Sequence, residues 1–551
     1  MSIFSSTRRE ILTSLLGLPL LAACPRKTTS LDVDGGYVDD LQTDGHRIRD
    51  GAFTSESPDA APSGSLSVLV LGGGVAGLAA ARRLVKAGLK SVRVIEAGEE
   101  PGGTARSGTS PVTRYPWGAH YLPVPDISNS ALVEFLSEIG ALESTSTRTS
   151  TLDPRDAVIA REDVLCRDPE ERVFAGGRWH RGLFPEAVAS SADLAALRRF
   201  EARVDAFVDP RGIGRRGARA FSIPVAHSAD DAVAAELDEI SMGAWLAREG
   251  FESPRLRWYV EYACRDDFGA SLGDTSAWYG LHYFAARRGQ PKGTSAPLMT
   301  WPEGNGFLVD QLISGVGVEK IETNTLVTEI RPRGDGRRTE VRTWNRTNHR
   351  AECLTADHVI FALPSFLRRH LLRGFDPEPV DYAPMTSPWL VANIFLRARP
   401  RSVGFEPAWD NVMFDSASLG YVVATHQRGR DFGPTVWTYY LPLVQSDARA
   451  SRQQLASLAW SDAARAVLDD LDRAHIGLRR CVERIDIVRW GHGMVRPTVG
   501  TWRARDRRRA QEPVGAVHFA HTDLSGVALF EEAFYHGLRA ADEVIARSRT
   551  G

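Results

Sequence analysis

Between Leu66 and Ala97 the pattern of apolar and polar positions changes period twice. Leu66 to Leu71 (LSVLVL) is a short, nearly continuous apolar run with β-branched residues, as expected of a parallel strand buried on both faces. A glycine-rich turn, GGGVAG, follows. LAAARRLVKAG then reads as a helix, and SVRVIEA as a second strand reaching Glu96. This order predicts a βαβ unit of an α/β fold. Upstream the pattern differs. Ile11 to Ala23 is an apolar run of thirteen residues. At ~1.5 Å per residue it reaches roughly 20 Å, short of the ~30 Å hydrocarbon core, which disfavours a spanning helix. Pro25 to Ser65 has little periodicity and is rich in Gly, Ser, Pro and Asp. It reads as a tether, with the folded part expected from Leu66.

Composition narrows the classes. The 551 residues suit two or three domains, and 43% hydrophobic with 25% charged residues excludes a disordered, collagenous or multi-span membrane chain. A net charge of −2 leaves no basic excess for bulk nucleic-acid binding. Lysines number five (Lys27, Lys86, Lys90, Lys292, Lys320), which limits any mechanism built on a lysine base. The five cysteines form no CxxC, and the histidines no HExxH, so no metal is expected. At the N-terminus, Arg8-Arg9 resemble a twin-arginine signal and Leu21-Ala22-Ala23-Cys24 a bacterial lipobox. Residues 1–24 then read as a signal peptide handled by the twin-arginine translocon. Cys24 would be lipidated, and the protein held on the periplasmic side of a Gram-negative envelope by its lipid alone.

The chemistry begins at the glycines. Gly72 permits a tight turn, Gly74 lets backbone approach a pyrophosphate, and Gly77 lets helix pack close to strand. The amides opening the helix, at Val75 and Ala76, then face anionic phosphates. Glu96 lies nineteen residues after Gly77, where a carboxylate accepts hydrogen bonds from ribose hydroxyls. Glu96-Ala97 is followed by Gly102-Gly103-Thr104, and the far end reads Phe519-Ala520-His521-Thr522-Asp523, then Glu531-Glu532-Ala533 with Gly537-Leu538-Arg539-Ala540-Ala541. With WPEGNGFLVDQL (301–312), IETNTLVTEIRP and ADHVIFALP between, the chain resembles the FAD-dependent amine oxidase superfamily, which includes protoporphyrinogen oxidase and phytoene desaturase-like enzymes. The resemblance runs from residue 66 to 545. It implies a Rossmann-like FAD-binding domain of glutathione-reductase type with an inserted α+β substrate domain. By position the FAD-binding domain takes residues 66–130, 301–385 and 486–549, and the substrate domain 131–300 and 386–485. It also implies non-covalent FAD contacted at Val327 through backbone groups and at Asp523 near the ribityl-pyrophosphate. No second GxGxxG unit indicates a separate NAD(P)H domain.

Departures from the family pattern bear on the reaction. Many amine oxidases carry a lysine on the strand that reads SPWLVANIFLRARP here, where Trp389-Leu390 stand instead. The doublet is GGT rather than GGR, with Arg106 a candidate phosphate contact, and Glu532 replaces a usual Gly. The family geometry makes His120, in YPWGAHYLP, and His492, in RWGHGMVRP, candidate active-site groups, because an unperturbed pKa of about 6.5 suits a proton acceptor. The stretch 258–268 is aromatic at helical spacing, which reads as core or as a flat apolar cleft presenting a substrate bond to the flavin. Asp266 and Asp267 within it read as a solvated loop or, if buried, as one paired with Arg265 or raised in pKa. Ser271 sits in a GxSxG match, but the charged ACRDDF before it is no elbow strand. WRARDRRR (502–509) reads as a solvated basic loop. The expectation is a small-molecule oxidoreductase taking a hydride equivalent to flavin N5 and reoxidised by oxygen or a quinone. Amine oxidation, desaturation and a non-catalytic flavin binder remain open.

Overall fold

Two sheets organise the chain. The computed structural model describes residues 33–38, 41–53, 65–143, 158–208, 219–288, 296–333, 338–444 and 447–550. Arg8, Arg9 and Cys24, and with them the expected signal peptide, lie outside the described residues.

The first sheet is built on the expected βαβ unit. Strand Ser65–Leu71 pairs in parallel with Val92–Ile95 on one side and Arg350–Phe361 on the other. Ile321–Glu322 extends one edge, while Thr339–Asn345 and Thr325–Pro332 continue the other as an antiparallel meander. Val517–Phe519 pairs with the end of Arg350–Phe361. Helix Val75–Lys86 crosses from the first strand to the second, and its residues from Val75 to Ala81 are all buried. They are buried because the C-terminal helix Phe530–Thr550 covers the face turned away from the sheet. A Cβ on Gly537 would lie 2.3 Å from the Ala76 carbonyl, so the two helices meet backbone to backbone.

The second sheet has eight strands, in the order Asp34–Tyr37, Val482–Val495, Thr386–Leu396, Thr435–Pro442, Gly420–Val423, Asp410–Met413, Glu171–Ala175 and Arg178–Arg181. Its strands pair antiparallel except Asp34–Tyr37 with Val482–Val495 and Asp410–Met413 with Glu171–Ala175. A helical layer, Ser191–Val208 through Ala277–Ala285, packs a separate aromatic core in which Trp278 stacks on Trp502 at 4.0 Å. Helix Pro254–Phe268 shows how local signals set an element. The Ser253 hydroxyl accepts from the Leu256 amide, Pro254 fills the first turn, and Gly269 closes the helix at φ 55°.

Two expectations change here. The stretch read as a tether contains the strand Asp34–Tyr37 and the helix Gln42–Arg49. Neighbours drawn from distant sequence hold both: Gly35 seats against the Ile485 backbone, and Arg346 bonds Asp44 at 2.7 Å. No periodicity inside residues 25–65 records that. Val482–Val495 belongs wholly to the eight-stranded sheet, so residues 486–495, assigned to the FAD-binding segment by position, form part of the second sheet.

Candidate functional site

The glycine turn is shaped for a bound anion. Helix Val75–Lys86 starts at Gly74 with no side-chain cap, leaving its first amides without side-chain partners. A Cβ on Gly74 would meet nothing within 4 Å, so open space lies directly over these amides. A Cβ on Gly77 would lie 1.9 Å from the Gly72 carbonyl, which makes that glycine a condition of the turn itself. The doublet closes the cradle: the Gly102 amide donates to the Gly73 carbonyl at 2.8 Å, and Gly103 stands beside the Gly74 Cα. Thr104, next along, lines the cavity described below.

Glu96 sits at the end of its strand with both carboxylate oxygens engaged, by the Gly73 and Gly98 amides, each at 2.7 Å. Burial raises its pKa above the ordinary value, with the amides and Arg106 opposing. The Thr325 amide donates to the Glu96 carbonyl, so the strand bearing Val327 begins beside Glu96, and Arg346 bonds the Ala97 carbonyl. Arg106 lies over the Trp490 ring at 5.2 Å. Asp523 is buried and accepts the Ser365 amide at 2.8 Å. Burial pushes this carboxyl up, but His521 and the Ser365 bonds outweigh it and hold it below the usual range. Open space above uncapped amides, with an acid at the strand end, fits an adenine dinucleotide.

A cavity of about 190 Å³ lies where the eight-stranded sheet, the helical layer and the start of the C-terminal helix meet. Its rings include His120, Tyr121, Tyr262, Tyr283, Trp409 and Tyr440. Its carboxylates are Glu170, Glu171, Asp266, Asp267, Asp410 and Glu531, against one guanidinium, Arg287. Arg287 is already paired to Asp267 at 2.8 Å. Burial pushes Glu171 and Glu531 up to about 7, and burial with the neighbouring charges of Glu171 and Asp266 pushes Asp410 well up. Asp266 is raised by burial and by Asp267 beside it. Asp266 and Asp410 are half-buried, and both line the cavity. Ionised carboxylates at such a site need a counter-charge or must keep their protons.

Sequence reasoning met this region unevenly. His120 lines the cavity, stacked on Tyr440 with ring centroids 4.8 Å apart. His492 is not among the cavity-lining residues. Its ring stacks on Phe366 at 4.1 Å and its Nδ1 meets the Thr386 hydroxyl at 2.7 Å. Burial lowers both histidines to about 4, so neither is poised to take a proton near neutrality, contrary to the reason for choosing them. Asp266 and Asp267 lie on helix Pro254–Phe268 rather than on a solvated loop, and Asp267 pairs with Arg287, not Arg265. Arg265 instead donates to the Ser416 and Ala417 carbonyls. Ser271 follows a helix and bonds Asp274 in a turn, which removes the hydrolase geometry. In the basic run, Arg507 is buried on the Thr501, Trp502 and Leu524 carbonyls. Glu170, Glu171, Asp410, Glu531 and Trp409 were missed. Glu531 stood in a quoted motif; the others carry no local signal.

A sequence model of the flavin-containing amine oxidoreductases matches residues 75–545. The chain belongs to this family. The oxidoreductase uses FAD as its cofactor and is an FAD-dependent enzyme. No curated protein matches its sequence. Solved structures with the same fold include putrescine oxidase bound to putrescine, at 18% identity and TM-score 0.61 over 88% of this chain and 100% of that one. Cyclohexylamine oxidase from Brevibacterium oxydans matches at 17% and 0.60 over 88% and 99%. A CLA-producing fatty acid isomerase from P. acnes matches at 15% and 0.56 over 87% and 98%. At these identities the likeness shows the fold alone, a mixed α/β architecture of the flavin amine oxidase type. Among the described residues no group of His, Cys, Asp and Glu is arranged to hold a metal ion, and no helix is long and apolar enough to cross a membrane.

Proposed function

We propose that this enzyme oxidises a small amine, removing a hydride equivalent from the carbon that bears the nitrogen. One observation carries the reading: a cavity walled by aromatic rings holds six carboxylates and a single guanidinium. A cationic amine supplies the missing charge, whereas a polyene or an anionic substrate leaves buried carboxylates without a partner. Bound FAD supplies the hydride acceptor. The turn at Gly72, Gly74 and Gly77, the amides of Val75 and Ala76, and the doublet Gly102-Gly103 with Thr104 would hold its pyrophosphate. Glu96 and Ala97 would hold the adenosine ribose, Val327 the adenine, and Arg106 and Asp523 the remainder, in a domain of glutathione-reductase type. The described cysteines Cys166, Cys264, Cys353 and Cys481 lie outside the C-terminal flavin element, which supports non-covalent binding.

Asp266 is assigned the proton that an ammonium substrate must lose, since its raised pKa lets it accept and release protons near neutrality. The rings of Tyr121, Trp409 and Tyr440 orient the alkyl portion and exclude water. A second reading, desaturation, rests on Trp389, which lines the cavity from the strand where many amine oxidases carry lysine. Anaerobic mixing of the FAD-loaded protein with alkylamines and with polyenes separates the two. Amines should bleach the flavin; bleaching by polyenes alone overturns the assignment, and silence with both points to a flavin binder.

The proposal extends to the cell envelope. Arg8-Arg9 and the lipobox ending in Cys24 support twin-arginine export and a periplasmic lipid anchor, with oxygen or a quinone reoxidising the flavin. Arg8→Lys with Arg9→Lys should trap the precursor in the cytoplasm. Normal maturation in a strain lacking the twin-arginine translocon would overturn that route.

A further inference from the structure

We propose that Glu171 and Asp410 form a seat for a second positive charge, so that the preferred substrate is a small diamine rather than a monoamine. The inference rests on the amine-oxidation reading and adds to it the chemistry of the substrate's far end.

The seat follows from strand register. Glu171–Ala175 and Asp410–Met413 run in parallel with Glu171 opposite Asp410, and the Asp410 amide donates to the Glu170 carbonyl at 2.8 Å. Residues opposed in this way project to the same face of a sheet, and both carboxylates line the cavity. The next residue on the first strand, Arg172, projects to the other face. There its guanidinium bonds Asn411 at 2.5 Å and the Phe405 carbonyl at 2.9 Å, and it lies over the Trp179 ring. The pleat thus carries the strand's own cation away from the cavity and leaves its anion inside. The polar groups reaching Glu171 and Asp410 are the Leu183 amide at 3.3 Å, the Tyr262 hydroxyl at 3.3 Å and the Asn411 amide, and none carries positive charge. Arg287, the cavity's one guanidinium, is held by Asp267.

An independent observation also asks for a donor in this cavity. Asp267 Oδ2 and Asn305 Oδ1 are buried without hydrogen-bond partners, on side chains 3% and 1% exposed that line the same space. All of these are acceptors, and an ammonium is a donor with three N–H groups and no acceptor. The same cavity is lined by His120, Trp409 and Tyr440, packed ring against ring, and aromatic faces suit a short methylene chain and attract a cation.

The test compares 1,4-diaminobutane with n-pentylamine, which has the same number of non-hydrogen atoms but a methyl in place of the second ammonium. Anaerobic stopped-flow reduction of the FAD-loaded enzyme should be at least ~30-fold more efficient with the diamine, as expected for one desolvated charge pair. Glu171→Gln and Asp410→Asn, each checked for full FAD content, should collapse that ratio toward one. Equal reduction by both amines in the wild type overturns the seat while leaving amine oxidation standing. A diamine preference that survives the double variant overturns the assignment to these two residues. Flavin left oxidised by both amines overturns the amine-oxidation reading and this inference with it.

Discussion

The nucleotide cradle and the substrate cavity are built by opposite strategies. The cradle is local. Gly72 to Ala97 supply its turn, its helix amides and its acid within one βαβ unit, and most of the groups it offers are backbone. The cavity is assembled from distant segments, with Glu171, Asp266, Asp410 and Glu531 each on a different element, and its polar lining is side-chain charge. A backbone site tolerates little change in shape; a charge site tolerates isosteric change in shape but not in charge.

The largest test of this contrast falls on the cradle. Gly74→Val should lower FAD affinity by at least ~100-fold while the ligand-free protein melts within about 1 kcal/mol of wild type, because the new side chain enters space empty of protein atoms. Measured by flavin absorbance and thermal unfolding, retained yellow colour would break the assignment. At Gly77 the order reverses. Gly77→Ala should destabilise the fold itself by roughly 2–4 kcal/mol, since its Cβ meets the Gly72 carbonyl.

In the cavity the expected effects are chemical. Asp266→Asn should keep FAD and fold but lower kcat/KM for an amine by ~10–100-fold. The efficiency of amine oxidation should also rise as pH increases from 6 to 8. Glu171 and Glu531, with pKa values raised to about 7, keep their protons below that value and become anionic above it. The same shift makes these groups stabilise the ligand-free protein at acidic pH and lose that contribution as pH rises through 7. A bound amine should therefore raise the melting temperature more at pH 8 than at pH 6. The smallest change is expected at His492. His492→Gln should alter kcat/KM by less than ~3-fold, because the ring packs on Phe366 and does not line the cavity.

These differences also explain what was legible beforehand. Gly72, Gly74, Gly77 and Glu96 could be read because turn, helix and acid must follow one another at fixed spacing. The C-terminal helix was legible through its resemblance to the family pattern, and the structure gives its Gly537 a physical role in the close approach to Ala76. Asp266 was half visible. It stands four residues after Tyr262 on one helix face, and both line the cavity, so a charge on an aromatic stripe was the available signal. Glu171 and Asp410 were invisible, since their pairing depends on the register of two strands more than two hundred residues apart. The two histidines divide: His120 lines the cavity and His492 does not, and burial, which sequence does not report, lowers the pKa of both.

The short strand Asp34–Tyr37 changes how the protein can be handled. It closes the outer margin of the eight-stranded sheet, with its backbone bonded along Arg484 to Ile487. A recombinant form trimmed to start at Leu66, where the regular pattern begins, would bare that margin to other chains. Self-association of such a form would then reflect a lost β-partner rather than an intrinsic oligomer.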